Sequence, residues 1–183
     1  LIWQRLTHSL YPLKAGRCAC VCCCMTKLPP LTGIAEVVLN VTDLARMRTF
    51  YQQALRFQFH SQQSMETEKP NPQGEPTICF LQISKSNSPL SVNGHPQLLA
   101  LIDCKRHIFA KRFTGLRSDE SSLNHLAFEI PEAGFTDYLE HLTSLGIDAF
   151  VTQFPAMNAQ AVFFSVPEGN RLELIAHQPK LED

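Results

Sequence analysis

Two apolar segments in the second half of the chain each carry one side chain able to bind a metal. In "NHLAFEI" (residues 124–130) it is His125, and in "VPEGNRLELI" (residues 166–175) it is Glu173. A carboxylate flanked by Leu172 and Leu174 is costly to bury unless it is paired, protonated or bound to a metal. A histidine that leads into Leu126, Ala127 and Phe128 has a similar need for a partner. Together the two residues point to a divalent-metal site, and the first half of the chain holds a weaker copy of the same layout.

The elements that must position these residues form a repeat. Residues 34–41, IAEVVLNV, have the β-branched richness of a strand. Thr42 and Asp43 can cap a helix that follows at once, with Leu44, Met47, Phe50, Tyr51, Ala54 and Leu55 on one stripe. Residues 57–60, 77–84 and 97–103 read as three further strands, separated by polar loops at 64–76 and 85–96. The second half repeats the order: a strand at 123–130 and a helix opened by Pro131 and Glu132 and ended by Gly146. Strands at 148–154, 161–166 and 171–177 complete it. Superimposing Glu36 on His125 aligns Val37 with Leu126, Leu39 with Phe128 and Val41 with Ile130. The expected architecture is therefore α+β, a duplicated βαβββ module forming one half-open barrel-like cup. The modules span residues 33–104 and 122–178, within a domain running from residue 25 to 183. Strand alternation puts Glu36, His125 and Glu173 on faces opposite the helices, so two such faces curled together make a cup lined by all three.

Composition narrows the class. The 183 residues, 44% hydrophobic and 18% charged, suffice for one domain with a substantial core. Formal net charge is −1. Three of the 16 basic residues and none of the 17 acidic ones fall in residues 1–24, so the remainder is mildly acidic. Without a Lys/Arg stripe there is no electrostatic reason to expect nucleic acid or an anionic membrane, and no apolar run approaches the roughly 20 residues of a membrane span. Five of the seven cysteines crowd into residues 18–24, a spacing at which thiolates bind soft metals. Because Met25 stands just ahead of the first regular pattern, residues 1–24 are read instead as a disordered or non-native extension. Cys79 and Cys104 then remain as small buried hydrophobes, a usage suited to a reducing cytoplasm. His60, His107 and His141 are read as surface residues.

The motifs at residues 34–57 (IAEVVLNVTDLARMRTFYQQALRF), 123–147 (LNHLAFEIPEAGFTDYLEHLTSLGI) and 163–178 (FFSVPEGNRLELIAHQ) carry a resemblance to the vicinal oxygen chelate superfamily, the glyoxalase, bleomycin-resistance and extradiol-dioxygenase group. It covers about residues 33–178. The resemblance implies that metal ligands sit on the first and last strands of each module. Carried over by position, His125 and Glu173 match ligands of the second module, and Glu36 falls where many members have histidine. The fourth position falls near Ala100, which cannot bind a metal. A set of Glu36, His125 and Glu173 suits a divalent ion such as Fe, Mn, Ni, Co or Zn. Its implied chemistry is Lewis-acid stabilisation of an oxyanion on a small oxygenated substrate, with Glu173 or Glu36 as the catalytic base. Dioxygenases of this group use two histidines and one carboxylate; the first-module histidine is missing here, and His177 lies ~13 Å along the strand from Glu173.

Two functions compete. The first is a metal-dependent lyase, isomerase or dioxygenase that dimerises through an open sheet edge. The second is a metal-free protein that sequesters a drug or metabolite, as the bleomycin-resistance members do. A third, thiol transfer of the fosfomycin type, requires a cluster of phosphonate-binding basic residues that the sequence does not display.

Overall fold

The computed structural model describes residues 34–87, 96–110 and 122–178. The cysteine tract, the extension assigned to residues 1–24 and His95 lie outside them. Each half folds as the repeat requires. In the first module β1 (Glu36–Val41) leads into α1 (Leu44–Ala54), then β2 (Gln58–Gln63), β3 (Ile78–Asn87) and β4 (Pro96–Asp103). In the second, β5 (Leu126–Glu129) is followed by a 3-10 turn and α2 (Phe135–Ser144), then β6 (Ala149–Phe154), β7 (Ala159–Ser165) and β8 (Arg171–His177). The sheets have matching orders, β1-β4-β3-β2 and β5-β8-β7-β6, with the first strand parallel to the last in each. The architecture is α+β, two βαβββ modules whose open sheets do not close into a barrel.

Local chemistry accounts for the helix ends. Asp43 caps α1 by accepting a hydrogen bond from the Arg46 amide at 2.9 Å. Beyond α2 the chain turns at Gly146, whose φ of +69° falls in the left-handed region that favours glycine. The Gly146 amide donates to the Thr143 carbonyl there.

One core joins the modules. Leu39, Val41, Leu99 and Leu101 from the first sheet share it with Val162, Phe164, Leu172 and Leu174 from the second, and Met47, Tyr51 and Leu142 enter from the helices. Phe57 meets Phe128 edge-on across the junction, 5.3 Å between centroids. His141 Nε2 lies 2.7 Å from the Gln53 carbonyl. The helix-side faces of both sheets are thus used up in the core, and the opposite faces remain outside it. Val38 and Phe150, on those outer faces, are 45% and 54% exposed.

Three expectations are corrected. The strand anticipated over residues 123–130 is confined to Leu126–Glu129, so His125 precedes the strand instead of lying within it. The third strand runs on to Asn87, into residues read as loop. His107, read as a surface residue, is buried at 1% exposure, its Nδ1 accepting a hydrogen bond from the Phe109 amide. The turn after β4 folds back onto the protein and takes the ring with it.

Candidate metal centre

The parallel pairing of β5 with β8 sets Ala127 beside Glu173, and β7 adds Phe163 and β6 Phe150 in the same row. Alternation puts all four on the outer face of the second sheet. His125, just ahead of β5, reaches over this row. Its Nε2 lies 2.9 Å from Glu173 Oε2, and its ring meets Phe163 edge-on at 5.5 Å. Glu173 is buried, 5% exposed, so its charge requires a partner. The two polar residues singled out from the sequence are therefore in direct contact.

The hydrogen bonding of the histidine tests whether a metal fits. Nδ1 lies 2.8 Å from Asn124 Oδ1, an acceptor, so Nδ1 carries the proton. Nε2 then faces a carboxylate oxygen with a lone pair of its own unless a cation, a proton or a metal, sits between them. The 2.9 Å separation is that of an ordinary hydrogen bond, and an imidazole with a carboxylate is also a donor pair that a divalent ion takes. A histidine whose second nitrogen is anchored by a hydrogen bond is also the usual arrangement in metal sites. The pair fits as two ligands of a divalent ion.

Glu36 does not join them. Among the described residues no three His, Cys, Asp or Glu side chains are grouped closely enough to hold a metal. Glu36 is exposed on the edge strand of the first sheet and lines a cleft of about 720 Å³ between β1 and β5. That cleft also takes in Glu129, Glu132 and His177, and neither His125 nor Glu173 lines it. His177 Nδ1 lies 3.3 Å from Glu129 Oε1 there, apart from the main pair. The His125–Glu173 pair thus sits on an open sheet face.

The first module has a different set of residues in the matching row. Val38 pairs with Ala100, Ala100 with Phe80 and Phe80 with Ser61. This row corresponds strand for strand to Ala127, Glu173, Phe163 and Phe150, so Ala100 occupies the place of Glu173. The gap inferred at Ala100 is a feature of the register. Cys79 and Cys104 are buried free thiols. Burial pushes Cys79 up to about 11, leaving it protonated and unreactive at neutral pH.

Sequence reasoning did not single out Glu168. From the β7–β8 turn its carboxylate accepts hydrogen bonds from the Thr42 amide at 2.8 and 3.0 Å, the Thr42 hydroxyl at 2.9 Å and the Asp43 amide at 2.9 Å. The contact ties the second module to the start of α1. The motif containing Glu168 was visible, but its partners lie 125 and 126 positions away.

Among known structures the chain is similar to the fosfomycin resistance protein FosX of Listeria monocytogenes, at 17% identity and a TM-score of 0.55, over 81% of this chain and 96% of that one. It is also similar to lactoylglutathione lyase of Agrobacterium tumefaciens, at 15% identity and a TM-score of 0.53, over 81% and 96%. A glyoxalase/bleomycin resistance protein/dioxygenase from Nocardioides aligns at 19% identity and a TM-score of 0.54, over 84% and 89%. A mutant FosX of the same Listeria species, TM-score 0.56 at 17% identity, was solved with Mn(II) and 1S,2S-dihydroxypropylphosphonic acid. No family model matches the sequence, and no curated protein does. At these identities the likeness is one of fold, and the chain shares its fold with these structures. Among the described residues no helix is long and apolar enough to cross a membrane.

Proposed function

We propose that the chain is a metal-dependent enzyme of the vicinal oxygen chelate type acting on a small oxygenated molecule by lyase, isomerase or dioxygenase chemistry. The observation that carries the proposal is the His125 Nε2–Glu173 Oε2 contact, with the imidazole held from behind by Asn124. His125 and Glu173 would hold the ion, with Glu36 of a second copy as the third ligand across an assembled cup. Once bound, a divalent metal supplies Lewis acidity to two neighbouring substrate oxygens. Asn124 fixes the imidazole tautomer. Glu173 or Glu36 would serve as the carboxylate that accepts a substrate proton. The FosX structure solved with Mn(II) makes Mn(II) a reasonable first probe.

The second reading, a metal-free binding protein, is favoured by Ala100 standing where a fourth ligand would be and by the lack of a three-donor group among the described residues. Metal analysis and Mn(II) titration by calorimetry separate the two. The expected result is stoichiometric binding that His125→Ala weakens at least tenfold without loss of fold. No stoichiometric divalent ion, in wild type and His125→Ala alike, would leave the binding-protein reading standing.

A further inference from the structure

The cleft between β1 and β5 is bordered by two strand edges that no strand pairs among the described residues. In the first module the Leu98 amide donates to the Ala35 carbonyl and the Cys104 amide to the Val41 carbonyl. Backbone groups alternate along a strand, so Val37 and Leu39 also face β4, while Glu36, Val38 and Asn40 turn their N–H and C=O groups the other way. In the second module the Ile130 amide donates to the Ile175 carbonyl. By the same alternation Leu126 and Phe128 face β8, which leaves the backbone groups of Ala127 and Glu129 on the free edge. No ladder joins the two edges to each other. Two rows of backbone donors and acceptors therefore border one cleft.

Side-chain alternation sorts the walls of the cleft in the same way. Val37, Leu126 and Phe128 line it on the helix side, together with Leu55 and Phe57. Glu36 and Glu129 line it on the outer side, and Glu132 adds a third carboxylate. Among the described residues no Lys or Arg lines it, and its one basic group is His177, 3.3 Å from Glu129. An unpaired strand edge is a template for another chain. Here the template has one apolar side and one acidic side.

We propose that this cleft takes an extended segment of another protein, added as a strand along the free edges, with apolar side chains at every second position and Lys or Arg between them. Side chains directly opposite on neighbouring strands share a face. Residues beside Val37, Leu126 and Phe128 then meet apolar wall, and residues beside Glu36 and Glu129 meet carboxylates. In strand addition the main-chain hydrogen bonds supply affinity and the alternating side chains supply specificity. Neither His125 nor Glu173 lines the cleft, so the inference is independent of the metal reading. Glu129 and Glu132 remain available to the segment when Glu36 serves a metal.

A capped peptide of the length of β1, Val-Lys-Val-Lys-Val-Lys, is the probe. It is titrated by calorimetry into the full chain beside Val-Val-Val-Lys-Lys-Lys, which has the same composition in block order. The expected result is one-to-one binding of the alternating peptide. Block order, N-methylation of its valine amides and Glu129→Lys in the protein each weaken that binding about tenfold or more. Amide hydrogen exchange is expected to slow on binding at Val38, Ala127 or Glu129, whose N–H groups lie on the free edges. Equal binding of the two peptides with edge exchange unchanged would mean charge attraction alone and overturn the proposal, as would no binding of either. If the edge amides are already slow to exchange without peptide, and only at concentrations where the chain dimerises, a second copy fills the cleft and the proposal fails.

Discussion

A half-buried and a buried histidine in this chain illustrate opposite solutions to the cost of leaving water. His125 offsets it with a carboxylate in front and an amide oxygen behind. His107 offsets it by staying neutral, with Nδ1 accepting from the Phe109 amide and the ring 5.4 Å from Phe109. Burial pushes the His107 imidazole below its ordinary range, and the nearby Asp103 opposes that only in part. In the unfolded chain the group titrates near its usual value of about 6.5. As pH falls from there the unfolded state therefore binds the proton first, so stability is present above that value and is lost as pH drops toward the folded-state value. Urea midpoints measured between pH 7.5 and 5.5 are expected to fall for the wild type and to fall less for His107→Gln. Equal slopes for the two proteins would mean that the ring is not titrating as its burial requires.

At the scale of elements, the β7–β8 turn matters beyond linking two strands. Gly169, at φ +93°, and the bond from the Val166 amide to the Asn170 carbonyl shape the turn so that Glu168 projects onto the amides opening α1. Helix N-termini leave amides without intrahelical partners, and this carboxylate supplies acceptors from the other module. Replacing it, Glu168→Ala, removes contacts comparable to a helix cap and is expected to cost about 1 kcal/mol, seen calorimetrically as a Tm lowered by about 3 °C. A Tm within half a degree of wild type would show that water replaces the clamp fully. The clamp also marks where sequence reasoning ran out. Period-2 and helical patterning exposed the duplication, and the position near Ala100, implied by the family resemblance, is the one that the strand register sets in the place of Glu173. Neither the reach of Glu168 to Thr42 nor the Phe150–Phe163–His125 stack is periodic in the chain. They arise only when turns and cross-strand neighbours are set. His107 was misread for the same reason, since "CKRHIFA" looks polar and its burial is tertiary.

For the whole molecule, the decisive fact is that one core consumes the helix-side faces of both sheets, leaving Glu36 on one outer face and His125 with Glu173 on the other. β1 and β5 are each edge strands with a single ladder partner, and exposed edges invite a second chain. A twofold pairing that lays the outer face of one first module against the outer face of another second module would cover Val38 and bring Glu36 to the metal pair, twice per dimer. Complementation tests this directly. Glu36→Ala and His125→Ala chains, each expected to lack tight Mn(II) sites alone, are unfolded together and refolded as a mixture. With sites built between chains, mixed dimers regain one intact site, the Glu36 of one variant meeting the His125 and Glu173 of the other. Random pairing then gives about one tight site per four chains. With sites built within a chain, every chain in the mixture carries a broken site and the titration stays flat, in which case Glu36 must reach its partners by a rearrangement inside one molecule.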